Sequence, residues 1–246
     1  MSGIFKEFRK SLRPGASLRH VRANVLTARD LQCLKRAMGW TNDPIIEGEY
    51  LHDFEVPWDI NDRRIRDAEV LGTACANGSP EVLLEIGTAW GHGTAIMARN
   101  APGGTVYTVN IPPEEISEGG KVISFAPTRE QIGSYYRERG FRNVRQILAN
   151  TRRWEPDFGP IDVAFVDGCH DAEFVYSDTK LILKKCKPGS VVIWHDFAPE
   201  LVDVYPFLKD VLRGVELLYK ERLIRGQILH LQDSWMGIYR VSADEG

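Results

Sequence analysis

The stretch IDVAFVDGCHDAEF, Ile161 to Phe174, constrains this chain more than any other. Its first six residues include a single polar one, and a strand apolar on both faces belongs inside a parallel sheet with helices on either side. It then empties into Asp167, Cys169, His170, Asp171 and Glu173. In open parallel sheets, ligands bind just beyond the carboxyl ends of the strands. A buried strand that ends in titratable groups therefore predicts a site at that sheet edge.

The neighbouring sequence supplies partners for this strand. From Val82 onward, EVLLEIG, GGTVYTVN, VRQILAN, IDVAFVD and SVVIWHD read as strands, and GHGTAIMARNA, REQIGSYYRERG and EFVYSDTKLILKKC read as helices between them. Strands alternating with helices predict right-handed crossovers and a parallel sheet. The tail GQILHLQDSWMGIYRV differs, because only Gln232, Asp233 and Ser234 separate its two strand-like runs. That is too short for a helical crossover, so the two runs pair antiparallel.

The first eighty residues are mainly helical and less regular. TARDLQCLKRAMGW suits a helix capped by Thr27, and NDRRIRDAEVLGTACANG suits one capped by Asn61 or Asp62 and ending at Gly78. The expected organisation is a helical N-terminal cap on the substrate side over residues 1–80, followed by the sheet domain over 81–246. A net charge of -3 gives no sign of a nucleic-acid partner. No apolar run is long enough to span a bilayer. The basic N-terminal arm lacks the apolar core of a signal peptide and reads as a solvated helix face. Four scattered cysteines (Cys33, Cys75, Cys169 and Cys186) suit a reduced, cytoplasmic chain.

LLEIGTAWGHGTAIMA places Glu85, Gly87, Thr88, Gly91 and Gly93 between a strand and its helix. Glycines there let the backbone turn sharply and approach a ligand. The spacing Gly-x-x-x-Gly-x-Gly is not the dinucleotide fingerprint, and no Gly-Lys-Ser/Thr follows, so it is not a P-loop.

This loop resembles the cofactor loop of class I S-adenosylmethionine-dependent methyltransferases. The order GGTVYTVNIPPE, IGSYYRERG, QILANT, FVDGCHDAEFVYSDT, KPGSVVIWHDF and the final hairpin is similar to their metal-dependent branch, small-molecule O-methyltransferases of natural products. The resemblance runs from about Val82 to Val241. It implies an α/β, Rossmann-like, seven-stranded, mostly parallel sheet ending in an antiparallel hairpin. It also implies S-adenosylmethionine as cofactor and O-methylation of a hydroxylated small molecule, a natural product or sugar. It leaves homo-oligomerisation open.

Position by position, the resemblance implies that Glu85, Gly87, Thr88, Gly91 and Gly93 hold the methionine moiety. Asn110 would meet the ribose, Asn150 and Thr151 would lie beside the adenine, and Asp167 would border the cofactor. A side chain at Gly91 would obstruct the methionine moiety and abolish binding while leaving the fold intact. The family usually carries an acid at the positions of both Asn110 and Asn150. An amide offers one acceptor oxygen where a carboxylate offers two, which motivates a second reading, a catalytically silent protein that keeps the fold.

Asp167 and the pair His195–Asp196 end adjacent strands, so they should converge. In metal-dependent relatives, residues at these positions bind the ion, which implies a divalent metal on Asp167, His195 and Asp196. Oxygen ligands suit magnesium, whereas a histidine tilts the choice toward manganese, iron or zinc. The alternative is metal-free catalysis with His195 or His170 as general base. His20 and His52 carry no functional expectation, and His92 and His230 read as structural.

Overall fold

The structure is a computed structural model that describes residues 18–51, 62–118 and 127–243. One eight-stranded sheet organises it: β1 (Val25–Ala28), β2 (Val82–Ile86), β3 (Thr105–Asn110), β4 (Val144–Leu148), β5 (Ile161–Val166), β6 (Cys186–Trp194), β7 (Ile228–Leu231) and β8 (Gly237–Arg240). Their spatial order is β1-β7-β8-β6-β5-β2-β3-β4. Strands β2 to β6 run parallel to one another, while β8 runs antiparallel to both β6 and β7. The expected seven strands and terminal hairpin are all present. An eighth strand is added by the N-terminal segment, where β1 pairs parallel with β7.

Strand parity explains how the sheet is buried on both faces. Leu83, Val163, Phe165, Val191 and Ile193 point to one side, where they pack with Leu71 of α3 (Arg63–Ala76) and Ile96 of α4 (His92–Asn100). Their neighbours Leu84, Ala164, Val166, Val192 and Trp194 point to the other. There they meet Val175 and Ile182 of α6 (Ala172–Leu183), together with Leu212 and Leu218 of α7 (Leu208–Lys220). Each interior strand therefore reads as a continuous apolar run. Helix α7 was not read from the sequence, yet Leu208, Val211, Leu212, Val215 and Leu218 form the apolar stripe of an amphipathic helix.

The N-terminal part is helical but joins the sheet and its faces. The short helix α1 (Arg19–Asn24) packs on α7, where the buried Glu216 carboxylate accepts from the backbone amides of His20 and Val21 at 2.9 and 3.0 Å. Helix α2 (Leu31–Met38) begins one turn later than expected. Asp30, not Thr27, caps it by accepting from Cys33 N at 2.7 Å, and Thr27 lies in β1. Asp62 caps α3 through Arg64 N at 3.0 Å. The region REQIGSYYRERG contributes only the short α5 (Ser134–Glu138). No disulfide joins the four cysteines, and no helix among the described residues is long and apolar enough to cross a membrane. His52 and residues 1–17 of the basic arm lie outside the described residues.

Candidate active site

A cavity of about 800 Å³ opens at the carboxyl ends of β2, β3, β5 and β6. It borders every residue assigned above from the sequence, from Glu85 to Asp196.

On one side stands the glycine loop. Gly87 takes φ +106° and packs so closely on the Asp167 carbonyl that a Cβ would overlap it, locking the ends of β2 and β5 together. Gly91 takes φ +92° as the N-cap of α4, and no side chain caps that helix end. The first amides of α4 are thus available to an anionic ligand group. A Cβ on Gly91 would stand 2.7 Å from the Tyr136 ring, so a side chain there would strain the turn and displace Tyr136 as well as obstruct a ligand.

Glu85 works from beneath the loop. It is 1% exposed, accepts from Thr108 Oγ1 at 2.5 Å and from Thr94 Oγ1, and leaves room only for glycine at position 93. Burial pushes its carboxyl up to about 8, against these two hydrogen bonds. Thr88 Oγ1 lies 2.7 Å from Thr108 Oγ1 and accepts from Gln146 Nε2 at 2.9 Å. Asn110 continues this network: its Oδ1 accepts from Ala89 N at 3.0 Å and its Nδ2 donates to Ile111 O at 2.9 Å. Asn150 Oδ1 accepts from Arg152 N at 3.1 Å.

The opposite wall is a cluster of acids and imidazoles. Asp167, His170 and Asp196 each bring a ligand atom to a common point, all within 4.8 Å of one another. His170 Nε2 is 3.1 Å from Asp196 Oδ2 and 3.7 Å from Asp167 Oδ1. Two carboxylates and one imidazole suit a divalent transition metal better than magnesium. This grouping brings in His170, whereas the sequence pointed to His195. His195 is only 5% exposed, with Nδ1 at 3.2 Å from Asp167 Oδ1 and 3.5 Å from Asp196 Oδ2. Asp196 itself adopts φ +54°, a left-handed conformation unusual for a residue other than glycine and common at functional turns.

Asp67 was missed by the sequence reading. It is fully buried on α3, accepts from Trp235 N at 2.6 Å, and its Oδ2 lies 3.5 Å from His195 Nε2. The available signal was an acid one turn after Arg63, on the helix face that also carries Val70, Leu71 and Ala74. Its placement follows from parity. His195 continues the row of Val191 and Ile193, the face covered by α3.

Burial works against charge throughout the cluster, but the pairing outweighs it. Asp167 is held below the usual carboxylate range by His195 and His170. His170 is raised by Asp196 and Asp167, and His195 is raised well above the ordinary imidazole value by the same two acids. Two histidines stand outside the cluster as structural groups. His230 bonds Met236 O at 2.9 Å and Glu200 at 3.2 Å, and His20 pairs with Glu216 at 2.8 Å.

Residues 84–197 match a family model described as a methyltransferase domain. No curated protein sequence matches the chain. Among solved structures, the chain is similar to an O-methyltransferase from Bacillus cereus in complex with S-adenosylhomocysteine. Identity is 20%, the TM-score is 0.51, and 95% of this chain and 93% of that one are covered. It is similar also to the O-methyltransferase TomG from Streptomyces achromogenes, involved in tomaymycin synthesis and in complex with S-adenosylmethionine. There identity is 18% and the TM-score 0.51, with 75% and 83% covered. A third likeness is to the Podospora anserina methyltransferase PaMTH1 bound to S-adenosylhomocysteine, at 15% identity, TM-score 0.50, and 72% and 78% covered. Residues 84–197 thus match a methyltransferase domain, and the fold around them, with its glycine loop at the sheet's ligand edge, is that of the solved methyltransferases.

Proposed function

We propose that the protein transfers a methyl group from S-adenosylmethionine to a hydroxyl of a small molecule, with a divalent cation at Asp167, His170 and Asp196. The observation that carries this reading is the meeting of the glycine loop and the acid–imidazole cluster in one cavity. The loop fits the cofactor because Gly87 and Gly91 bring backbone close to the cavity while the amides at the start of α4 lack a side-chain cap. The three side chains fit a cation in donor type and in mutual spacing.

The bound cofactor supplies an electrophilic methyl group, and a bound cation lowers the pKa of the acceptor hydroxyl and fixes its direction. The protein's own residues do the rest. Glu85, Thr94 and Thr108 hold the loop's floor, and Gly87 sets the spacing between loop and acids. His195, braced by Asp67, holds Asp167 and Asp196 at their separation. Trp235, Tyr205 and Phe207 line the cavity next to the acids as a mutually packed aromatic wall, with centroids 5.6–6.2 Å apart, and limit water there. The acceptor is a hydroxylated natural product or sugar, and the protein acts in the cytoplasm.

A second reading has its own support. The pairing of His170 Nε2 with Asp196 at 3.1 Å is that of a general base oriented by a carboxylate, with Nδ1 of the same ring as the atom to take the hydroxyl proton without a metal. Release of S-adenosylhomocysteine in the presence of a hydroxylated acceptor tests the proposal, and excess chelator separates the two versions. Activity lost to chelator and restored by manganese supports the cation. Full activity in chelator, abolished in His170→Ala, supports the base.

A further inference from the structure

We propose that Asp178 reads the adenine of the cofactor, its carboxyl accepting a hydrogen bond from the exocyclic amino group. The inference rests on the cofactor reading above and adds a residue to it. Asp178 sits in the middle of α6, 2% exposed, and borders the same cavity beside Thr151 and Gly168. Its Oδ1 is buried with no hydrogen-bond partner among the described residues. A buried carboxyl oxygen lacking a partner is costly, and it is retained where a ligand completes it.

Asn150 is the obvious alternative for the amino group, being next to Thr151 at the end of β4. Its acceptor oxygen is already turned to Arg152 N, so the amide presents its donor end to a ligand. Adenine offers one amino donor and several ring acceptors. An amide donor on Asn150 and an acceptor on Asp178 would together match both. Burial raises Asp178 to about 7, against Thr151 and Arg152, and a ligand N–H would favour its ionised form.

Calorimetric titration with S-adenosylhomocysteine and with S-inosylhomocysteine, in which a carbonyl replaces the amino group, tests this on the full chain. The wild type is expected to bind the adenine compound at least about tenfold more tightly, since the carbonyl faces an acceptor and leaves it unpaired. Asp178→Leu should reduce that preference to within about threefold, and Asp178→Asn, which keeps an acceptor oxygen, should bind S-adenosylhomocysteine within about threefold of wild type. Equal binding of the two compounds by the wild type, or undiminished preference in a folded Asp178→Leu protein, overturns the inference and leaves the cofactor assignment standing. If Asp178→Leu does not fold, Asp178→Ala is read in its place by the same criterion. Binding of neither compound by the wild type overturns the cofactor assignment and this inference together.

Discussion

Asp67 Oδ2 lies 3.5 Å from His195 Nε2, and the opposite nitrogen of the same ring lies 3.2 Å from Asp167 Oδ1. A helix from the N-terminal part thus braces the end of β6, and through it the acid that ends β5. Asp67→Asn keeps the volume but weakens the hold on the ring. Turnover should fall about tenfold or more, the usual effect of losing a residue that orients a functional side chain. Affinity for S-adenosylhomocysteine, which the proposed function assigns to the loop on the other wall, should stay within about twofold. Equal losses in both would show that Asp67 supports the whole cavity and not His195 alone.

Gly87 meets the Asp167 backbone with no space for a side chain and has φ +106°. Gly87→Ala should therefore destabilise the fold by roughly 2 kcal/mol or more, combining overlap with left-handed strain. Urea denaturation measures it. An unchanged midpoint would mean that the two strand ends separate freely.

Asn110 bridges Ala89 N and Ile111 O. Asn110→Asp keeps the first bond, loses the second and adds acceptor capacity toward the ribose hydroxyls. The expected outcome is cofactor binding up to about tenfold tighter, with stability lower by about 1 kcal/mol. Calorimetry and a thermal melt check the two parts. Weaker binding would show that the ribose is held elsewhere.

Asp178 gives a pH dependence with a definite sign. Burial raises its folded pKa from 3.8 to about 7. Its favourable contribution is complete below pH 3.8 and is lost as pH rises through about 7, because the folded state holds the proton longer than the unfolded chain. Asp178→Asn should therefore equal wild type near pH 4 and exceed it at pH 8 by roughly 2–4 kcal/mol. Denaturation at the two pH values checks this, and a constant difference across the range would contradict it.

Much of this architecture was legible in the sequence because period and parity are local properties. The strand β5, the loop from Glu85 to Gly93, the acids Asp167 and Asp196 and the closing hairpin all announce themselves in short windows. The rest depends on tertiary partners. Residues 25–28 form a strand only because β7 offers an edge, and four residues carry too little pattern to reveal it. Asp67 and Asp178 resemble ordinary helix acids until the faces they occupy are known. Side-chain direction at the strand ends is likewise not written in the spacing. The structure brings His170 to Asp196, and it turns the Asn150 oxygen back to Arg152. Gly91 looked replaceable at the expense of binding alone, whereas Tyr136 packs against it, so that variant would also disturb the fold.

The central claim is that the cavity beside the glycine loop holds S-adenosylmethionine. Titration calorimetry of the wild-type protein with S-adenosylhomocysteine, and in parallel with NADH, tests it most directly. The account predicts saturable binding of S-adenosylhomocysteine at a single site per chain and none of NADH. No binding of S-adenosylhomocysteine, or binding of NADH in its place, would contradict it.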